Sequence, residues 1–333
     1  MYKGVYRAAD DRYDHMKVRR AGNSGLQLPA ISFGMWHSFG DDANFEDSEK
    51  VMLKAFDKGI FSFDCANNYG PGAGAAERMF GQVYRRDLKP YRDELIITTK
   101  AGYNMWPGPY GQFSSKKTLV AALDRSLERM GLNYVDIYYS HRFDPNTSLE
   151  ETAEALDEIV RSGKALYIGI SNYNGKQTAQ IIKYFKEFHT PFVVNQASYN
   201  MLNRAPEEDG TLKTLAKNKD GLVAYGPLAE GLLTGKYLHG MPDDVHVHWS
   251  NNFVFKNGKD KVVKKLNQLN DMAKHRGQTL AQMGLAWLLH NPTVTSVVTG
   301  ASKVKHLEDN LGALNNLKFT QDELDEIDKI VKG

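Results

Sequence analysis

The sequence predicts an α/β fold, a (β/α)8 TIM barrel, from three observations. Short runs rich in β-branched and aromatic residues alternate with amphipathic helical windows along almost the whole chain, as parallel strands joined by helical crossovers require. Eight strand runs and eight helical windows spread over about 300 residues match the size of a closed barrel. A doubly wound open sheet could use the same elements, but it usually needs fewer strands and a glycine-rich first turn.

The strand runs are ISFG from Ile31, FSFD from Phe61, ELIITTK from Glu94, YVDIYYS from Tyr134, ALYIGIS from Ala165, FVVNQAS from Phe192, GLVAYG from Gly221 and TSVVTG from Thr295. Between them, apolar residues recur at the 3.6-residue helical period in windows 46–58, 76–85, 116–130, 148–162, 175–188, 209–218, 260–290 and 303–315. Ser114 or Ser115 can cap the third window, Gly131 and Gly163 can stop two others, and Pro292 follows the seventh. Two segments fall outside the repeat. Residues 16–29, MKVRRAGNSGLQLP, read as two short strands around Gly22 to Gly25, a hairpin expected to plug the lower mouth of the barrel. Residues 237–258 are long, turn-rich and aromatic, and are expected to form a surface excursion over the site. The even spacing predicts one domain over 1–333, with the hairpin at 16–29, the barrel at about 30–316 and a last charged helix at 320–332.

Composition narrows the function. The 42 basic and 40 acidic side chains leave a formal charge of +2 with no long run of either sign, so neither nucleic acid nor an anionic membrane is an expected partner. Cys65 is the one cysteine, which excludes an internal disulfide and a multi-cysteine metal site and fits a reducing compartment. No long apolar stretch is present, and the first residues carry charges where a signal peptide needs an apolar core, so a soluble cytoplasmic protein is expected.

Three motifs nearly fit a function and fail. GPGAGAAE, from Gly70, follows a strand and opens a helix like a dinucleotide fingerprint, but Glu77 stands where the third glycine is needed. GLLTGKY, from Gly231, has one residue too few between its glycines for a phosphate loop. His246 and His248 alternate as strand ligands might, but no third ligand accompanies them, and no metal is predicted.

The chemistry concentrates in four residues. FSFDCANNYG places Asp64 and Tyr69 after one apolar run, Lys100 closes ELIITTK, and His141 closes YVDIYYSH. Each lies at or just past the C-terminal end of a strand run, where such barrels gather their active sites. Singly, Asp64 could cap a helix, Tyr69 could be a rim aromatic, Lys100 could be solvated and His141 could sit satisfied near the core. Together they supply carbonyl reduction, in which negative charge grows on oxygen as hydride arrives and a proton and hydrogen-bond donors must meet it. Tyr69 is the expected general acid. Lys100 is expected to depress its pKa from about 10, Asp64 to hold the lysine charged, and His141 to orient the substrate by a second hydrogen bond.

In this order the tetrad resembles that of the aldo-keto reductase family. FDCANNYG, ITTKAG, GLNYVDIYYSH, GKALYIGISNY, NQASYNMLNR, AYGPLAEGLLTGKY and GASKVKHLEDN carry the resemblance from about Lys17 to the last helix. More narrowly, KAGYNMWPGPYG and SYNMLNR look like the bacterial reductases of L-glyceraldehyde 3-phosphate, relatives of potassium-channel β subunits. The resemblance implies an NADPH-dependent reductase of small aldehydes, phosphorylated trioses and methylglyoxal among the candidates, with NADH as the second cofactor and a homo-oligomer, tetramer or octamer, as the assembly.

By resemblance the cofactor lies across the barrel mouth without a Rossmann turn, against Met35, Trp36 and Asp64 as well as the late strands. Ser171, Asn172 and Gln196 hold the carboxamide, and Tyr225 stacks on the nicotinamide. Gly226, Pro227, Leu228, Gly231 and Lys236 wrap the pyrophosphate. In GASKVKHLEDN, Gly300 opens the turn, Ser302 and Lys303 take the 2′-phosphate, and Asp309 and Asn310 hold adenine. Lys303 and His306 stand where the relatives commonly show arginine and glutamine, and lysine lacks the bidentate fork, so discrimination against NADH is expected to be weak. On the substrate side Met35, Trp36, Met105, Trp106 and Tyr110 line the pocket by resemblance. Arg142 and Arg204 could face a substrate phosphate or instead bridge loops or subunits. An alternative function, a cofactor-sensing regulatory subunit of the channel-β kind, needs a partner-binding segment, and only about 16 residues precede Lys17.

Overall fold

The β-rich runs become strands where the sequence places them. The computed structural model describes residues 5–245, 247 and 249–332, so the expectation for His246 and His248 lies outside the described residues. β1 (Val18–Arg20) and β2 (Gln27–Pro29) pair antiparallel, with Arg19 opposite Leu28. Eight parallel strands follow: β3 (Ile31–Gly34), β4 (Ser62–Asp64), β5 (Ile96–Ala101), β6 (Val135–Ser140), β7 (Ala165–Ser171), β8 (Phe192–Ser198), β9 (Gly221–Tyr225) and β10 (Val294–Thr299). Each pairs with the next, and β10 closes on β3 with Val297 opposite Ile31. The result is a (β/α)8 barrel whose strands are almost entirely buried, polar side chains such as Thr99, Asn195 and Ser296 included.

The helices are α1 (Phe45–Asp57), α2 (Ala75–Val83), α3 (Lys116–Met130), α4 (Leu149–Arg161), α5 (Gly175–Phe188), α6 (Ala205–Glu208), α7 (Thr211–Asn218), α8 (Lys259–His275), α9 (Leu280–His290), α10 (Val304–Leu311) and α11 (Gln321–Lys332). Their ends follow local chemistry. The Ser115 hydroxyl accepts the first-turn amide of Thr118 at 3.3 Å, and Gly131 closes α3 in the left-handed conformation at φ 70°. One expectation fails here: residues 260–290 are two helices, α8 and α9. Gly277 turns the chain at φ 67°, and Thr279 with Gln282 forms a capping box that starts the second helix afresh. The apolar period runs across the junction because both helices pack on the same core, so periodicity alone does not register the break.

The hairpin seals the barrel end opposite the strand C-termini. Ala21, Leu26 and Leu28 form one buried cluster with Ile137, Tyr139, Val194, Val223 and Val298 from the strands. Gly22 fixes its seat: it has φ 56°, Asn23 N–H donates to the Lys219 carbonyl at 2.8 Å, and a Cβ on Gly22 would fall on that same carbonyl. Gly22→Ala is therefore expected to lower unfolding stability by about 2 kcal/mol or more. Gly25→Ala, whose Cβ would meet only the Tyr167 hydroxyl at 3.9 Å, should stay near wild type. Thermal denaturation of the two variants side by side checks this, and equal midpoints would contradict it.

The described part of 237–258 forms no strand, and a 3₁₀ segment spans Trp249–Asn257. It touches the barrel mouth through Asn251, which is fully buried, donates to Glu230 at 3.1 Å and accepts from Asn200 at 3.3 Å. No helix among the described residues is long and apolar enough to cross a membrane.

Candidate active site

Parallel strand register brings the tetrad together. Asp64 ends β4 beside Thr98 of β5, Lys100 lies two residues further along β5 beside Tyr139 of β6, and His141 directly follows β6. Tyr69 N–H bonds the Ala66 carbonyl in the turn after β4, which folds the tyrosine back over the lysine. The Lys100 ammonium, fully buried, donates to Asp64 Oδ2 at 2.6 Å and to the Cys65 carbonyl at 2.7 Å, and lies 3.4 Å from Tyr69 Oη. Asp64 Oδ1 accepts from Thr98 Oγ1 at 2.8 Å and Gln196 Nε2 at 2.9 Å. Every polar atom of this buried ion pair has a partner, the condition under which two charges are tolerated out of water. The Tyr69 and His141 rings are 5.7 Å apart, edge to face.

Burial pushes the Tyr69 phenol well above its usual pKa, and the nearby Asp64 carboxylate pushes it the same way. This reverses the expected depression by Lys100. Lys100, 3.4 Å away, does not offset this, because loss of solvent is the largest effect and the Asp64 carboxylate adds to it. A phenol held neutral is a proton donor. Burial drives His141 well below the usual imidazole range, with Lys100 and Arg142 adding to the effect, so its ring is neutral at pH 7. His141 Nδ1 has no hydrogen-bond partner among the described residues.

Above these groups opens a cavity of about 580 Å³ at the C-terminal ends of the strands. Of the residues expected to form the site, Trp36, Asp64, Tyr69, His141, Asn172, Gln196, Tyr225, Gly226, Pro227, Leu228, Gly231, Gly300, Ser302 and His306 line it. Beneath this wall sit Lys100, Met35 and Ser171, all buried. Across residues 30–332 the sequence matches the model of the aldo/keto reductase family.

The chain belongs to the aldo/keto reductase family. It is accordingly an oxidoreductase. It is 52% identical over 329 residues to the L-glyceraldehyde 3-phosphate reductase of Escherichia coli (strain K12), covering 98% of this chain and 95% of that protein. It is 33% identical over 323 residues to a probable voltage-gated potassium channel subunit beta of Arabidopsis thaliana, covering 96% and 97%. Among solved structures, the thermostable aldo-keto reductase Tm1743 in complex with the inhibitor epalrestat matches with a TM-score of 0.73 and 29% identity, over 95% of this chain and 100% of that one.

Gly226 at φ 60° and Gly231 at φ 95° bring bare backbone to the cavity, and α10 begins at its edge, with Ser302 and His306 in the wall. The Asn172 amide is spoken for: it donates to the His141 carbonyl at 3.0 Å and accepts from Tyr225 Oη at 2.7 Å. Lys236, Lys303 and Asp309 are exposed and Asn310 is buried, and none of the four reaches the cavity wall. Asp309 instead accepts from Gln282 at 3.1 Å.

Several expected substrate residues lie elsewhere. Trp106 and Tyr110 turn outward onto α3, where Arg125 sits 5.1 Å from the Trp106 ring and Lys117 sits 4.7 Å from the Tyr110 ring. Met105 is held in the same loop by a backbone bond to Gly111 and is also absent from the wall. Arg142 bridges loops: it donates to the Gly102 carbonyl at 2.9 Å and to Gln112 at 2.8 Å, between the Tyr103 and Phe113 rings. Arg204 pairs with Asp328 of α11 at 2.8 Å and lies over Trp287 of α9, in a separate hollow. Sequence reasoning missed Gly34, His37, Ser38, Asn68, Tyr103, Glu230, Val298 and Thr299, which also line the cavity. For Asn68 and Tyr103 a signal existed, since one adjoins Tyr69 and the other follows Lys100 by three residues.

Proposed function

We propose that this aldo/keto reductase reduces small aldehydes to alcohols with NADPH, that L-glyceraldehyde 3-phosphate is among its substrates, and that Tyr69 is the general acid. The observation that carries this reading is the Lys100 ammonium, locked to Asp64 at 2.6 Å and 3.4 Å from Tyr69 Oη, directly under the cavity. Family members generally take NAD(P)H, and the cavity fits such a group: it offers bare glycine backbone, a helix start and Tyr225, with Gln196 fixed below. When bound, the reduced nicotinamide supplies hydride to the carbonyl carbon.

The remaining work falls to the chain's own side chains. Tyr69 Oη, kept protonated by burial, hands its proton to the carbonyl oxygen as negative charge develops there. Lys100 then steadies the phenolate, with Asp64 keeping the ammonium in place. Neutral His141 gives the same oxygen a second donor and fixes the approach of the aldehyde. Gly226, Pro227, Leu228 and Gly231, which line the cavity, would hold the pyrophosphate. Ser302 and His306, with Lys303 at the start of α10, would hold a 2′-phosphate, which would favour NADPH over NADH. The 52% identity to an L-glyceraldehyde 3-phosphate reductase supports the choice of substrate.

The test is an aldehyde panel run first with NADPH and then with NADH. L-Glyceraldehyde 3-phosphate and methylglyoxal are expected to drive oxidation of NADPH, with lower kcat/KM for NADH. Absence of oxidation with every aldehyde would reject the reading.

A further inference from the structure

Glu230 lines the cavity within the segment that carries Gly226, Pro227, Leu228 and Gly231. Its Oε1 lies 3.9 Å from the point where a Cβ on Gly226 would stand, so the carboxylate borders the bare backbone that would hold the pyrophosphate. The segment takes an unfavourable conformation there: Ala229 at φ 47° and Glu230 at φ 51° are successive non-glycine residues in the left-handed region. Two fully buried amides fasten it. Asn251 donates to both Glu230 oxygens, at 3.1 and 3.3 Å. Asn200 donates to Asn251 Oδ1 at 3.3 Å and to the Gly226 carbonyl at 2.9 Å, so one network grips both ends of the turn. A neutral amide holds a carboxylate in place without cancelling its charge.

Resting on the proposed use of NADPH, we propose that Glu230 sets the affinity for the dinucleotide: a carboxylate fixed beside the pyrophosphate position weakens binding and shortens residence. At a rim open to water, repulsion between the two corresponds to about a fivefold change in Kd. The effect falls mainly on the dissociation rate, where most affinity differences between related complexes lie. Oxidised and reduced forms carry the same pyrophosphate. Glu230 therefore speeds exchange of both and leaves the chemistry to the tetrad.

The experiment compares NADPH binding, by fluorescence titration and stopped-flow release, in the wild-type chain and in Glu230→Gln, which keeps the length and an acceptor for Asn251 but removes the charge. Kd is expected to fall about fivefold in the variant, chiefly through slower release. Raising KCl from about 0.05 M to about 0.5 M should bring the two chains within about twofold of each other, since salt screens a like-charge effect and does not reverse a change of shape. Glu230→Asp, which keeps the charge, should bind within about twofold of wild type. Glu230→Asn set against Glu230→Asp repeats the neutral-to-charged comparison if the glutamine variant does not fold. Equal or weaker binding by the neutral variant, or a difference that salt leaves untouched, would overturn the role of Glu230 while leaving carbonyl reduction intact. No binding of NADPH by the wild-type chain or any variant would remove the cofactor reading and this one together.

Discussion

Replacing Tyr69 by phenylalanine is expected to lower kcat for aldehyde reduction by about a thousandfold, while NADPH still binds with near wild-type affinity. The substitution deletes one oxygen, the atom 3.4 Å from Lys100 Nζ at the base of the cavity, and leaves the ring to pack against His141 as before. The pH dependence gives an independent check. With the phenol held above its usual range and His141 held below its own, both are uncharged between about pH 6.5 and 8, so wild-type kcat/KM should be level across that window. Activity should decline on the acid side only as His141 takes up a proton, well below 6.5. Single-turnover fluorescence measures both steps, and a variant with unchanged turnover would remove Tyr69 from the role of acid.

The second large effect concerns Lys100. Lys100→Met strands the Asp64 carboxylate in a place where it is 3% exposed, and loss of one partner of such a buried pair costs about 3–5 kcal/mol. Turnover should fall about a hundredfold or more, because the phenolate left by proton transfer loses its counter-charge. Combining Lys100→Met with Asp64→Asn removes both charges and should return most of the lost stability with none of the lost turnover. Urea denaturation of the two single variants and the double variant reads the coupling. Additive losses in stability would mean that the pair is not a unit.

The parts of this molecule that were legible in the sequence are those decided by local pattern. VDIYYS and FVVNQAS are buried along almost their whole length because barrel strands are covered on both faces, and Asp64, Lys100 and His141 stand out in the sequence because they are titratable residues at the C-terminal ends of such runs. What the pattern did not give depends on non-local contacts. Trp106 and Tyr110 face α3 because Arg125 and Lys117 happen to lie across from their loop, a pairing no spacing rule encodes. Arg204 is taken by Asp328, more than a hundred residues away in sequence. The direction of the Tyr69 shift was misjudged for a related reason: the lysine was visible in the sequence, but the burial that outweighs it exists only in the folded chain.

The most direct test of the whole account is to follow the hydrogen. Purified chain is incubated with L-glyceraldehyde 3-phosphate and NADPH deuterated at the transferring position, and the alcohol product is examined by mass spectrometry and NMR. The account predicts one deuterium on the former aldehyde carbon for each dinucleotide oxidised, and almost none with Tyr69→Phe. Product free of deuterium, or NADPH that binds in the cavity and stays unoxidised, would contradict it.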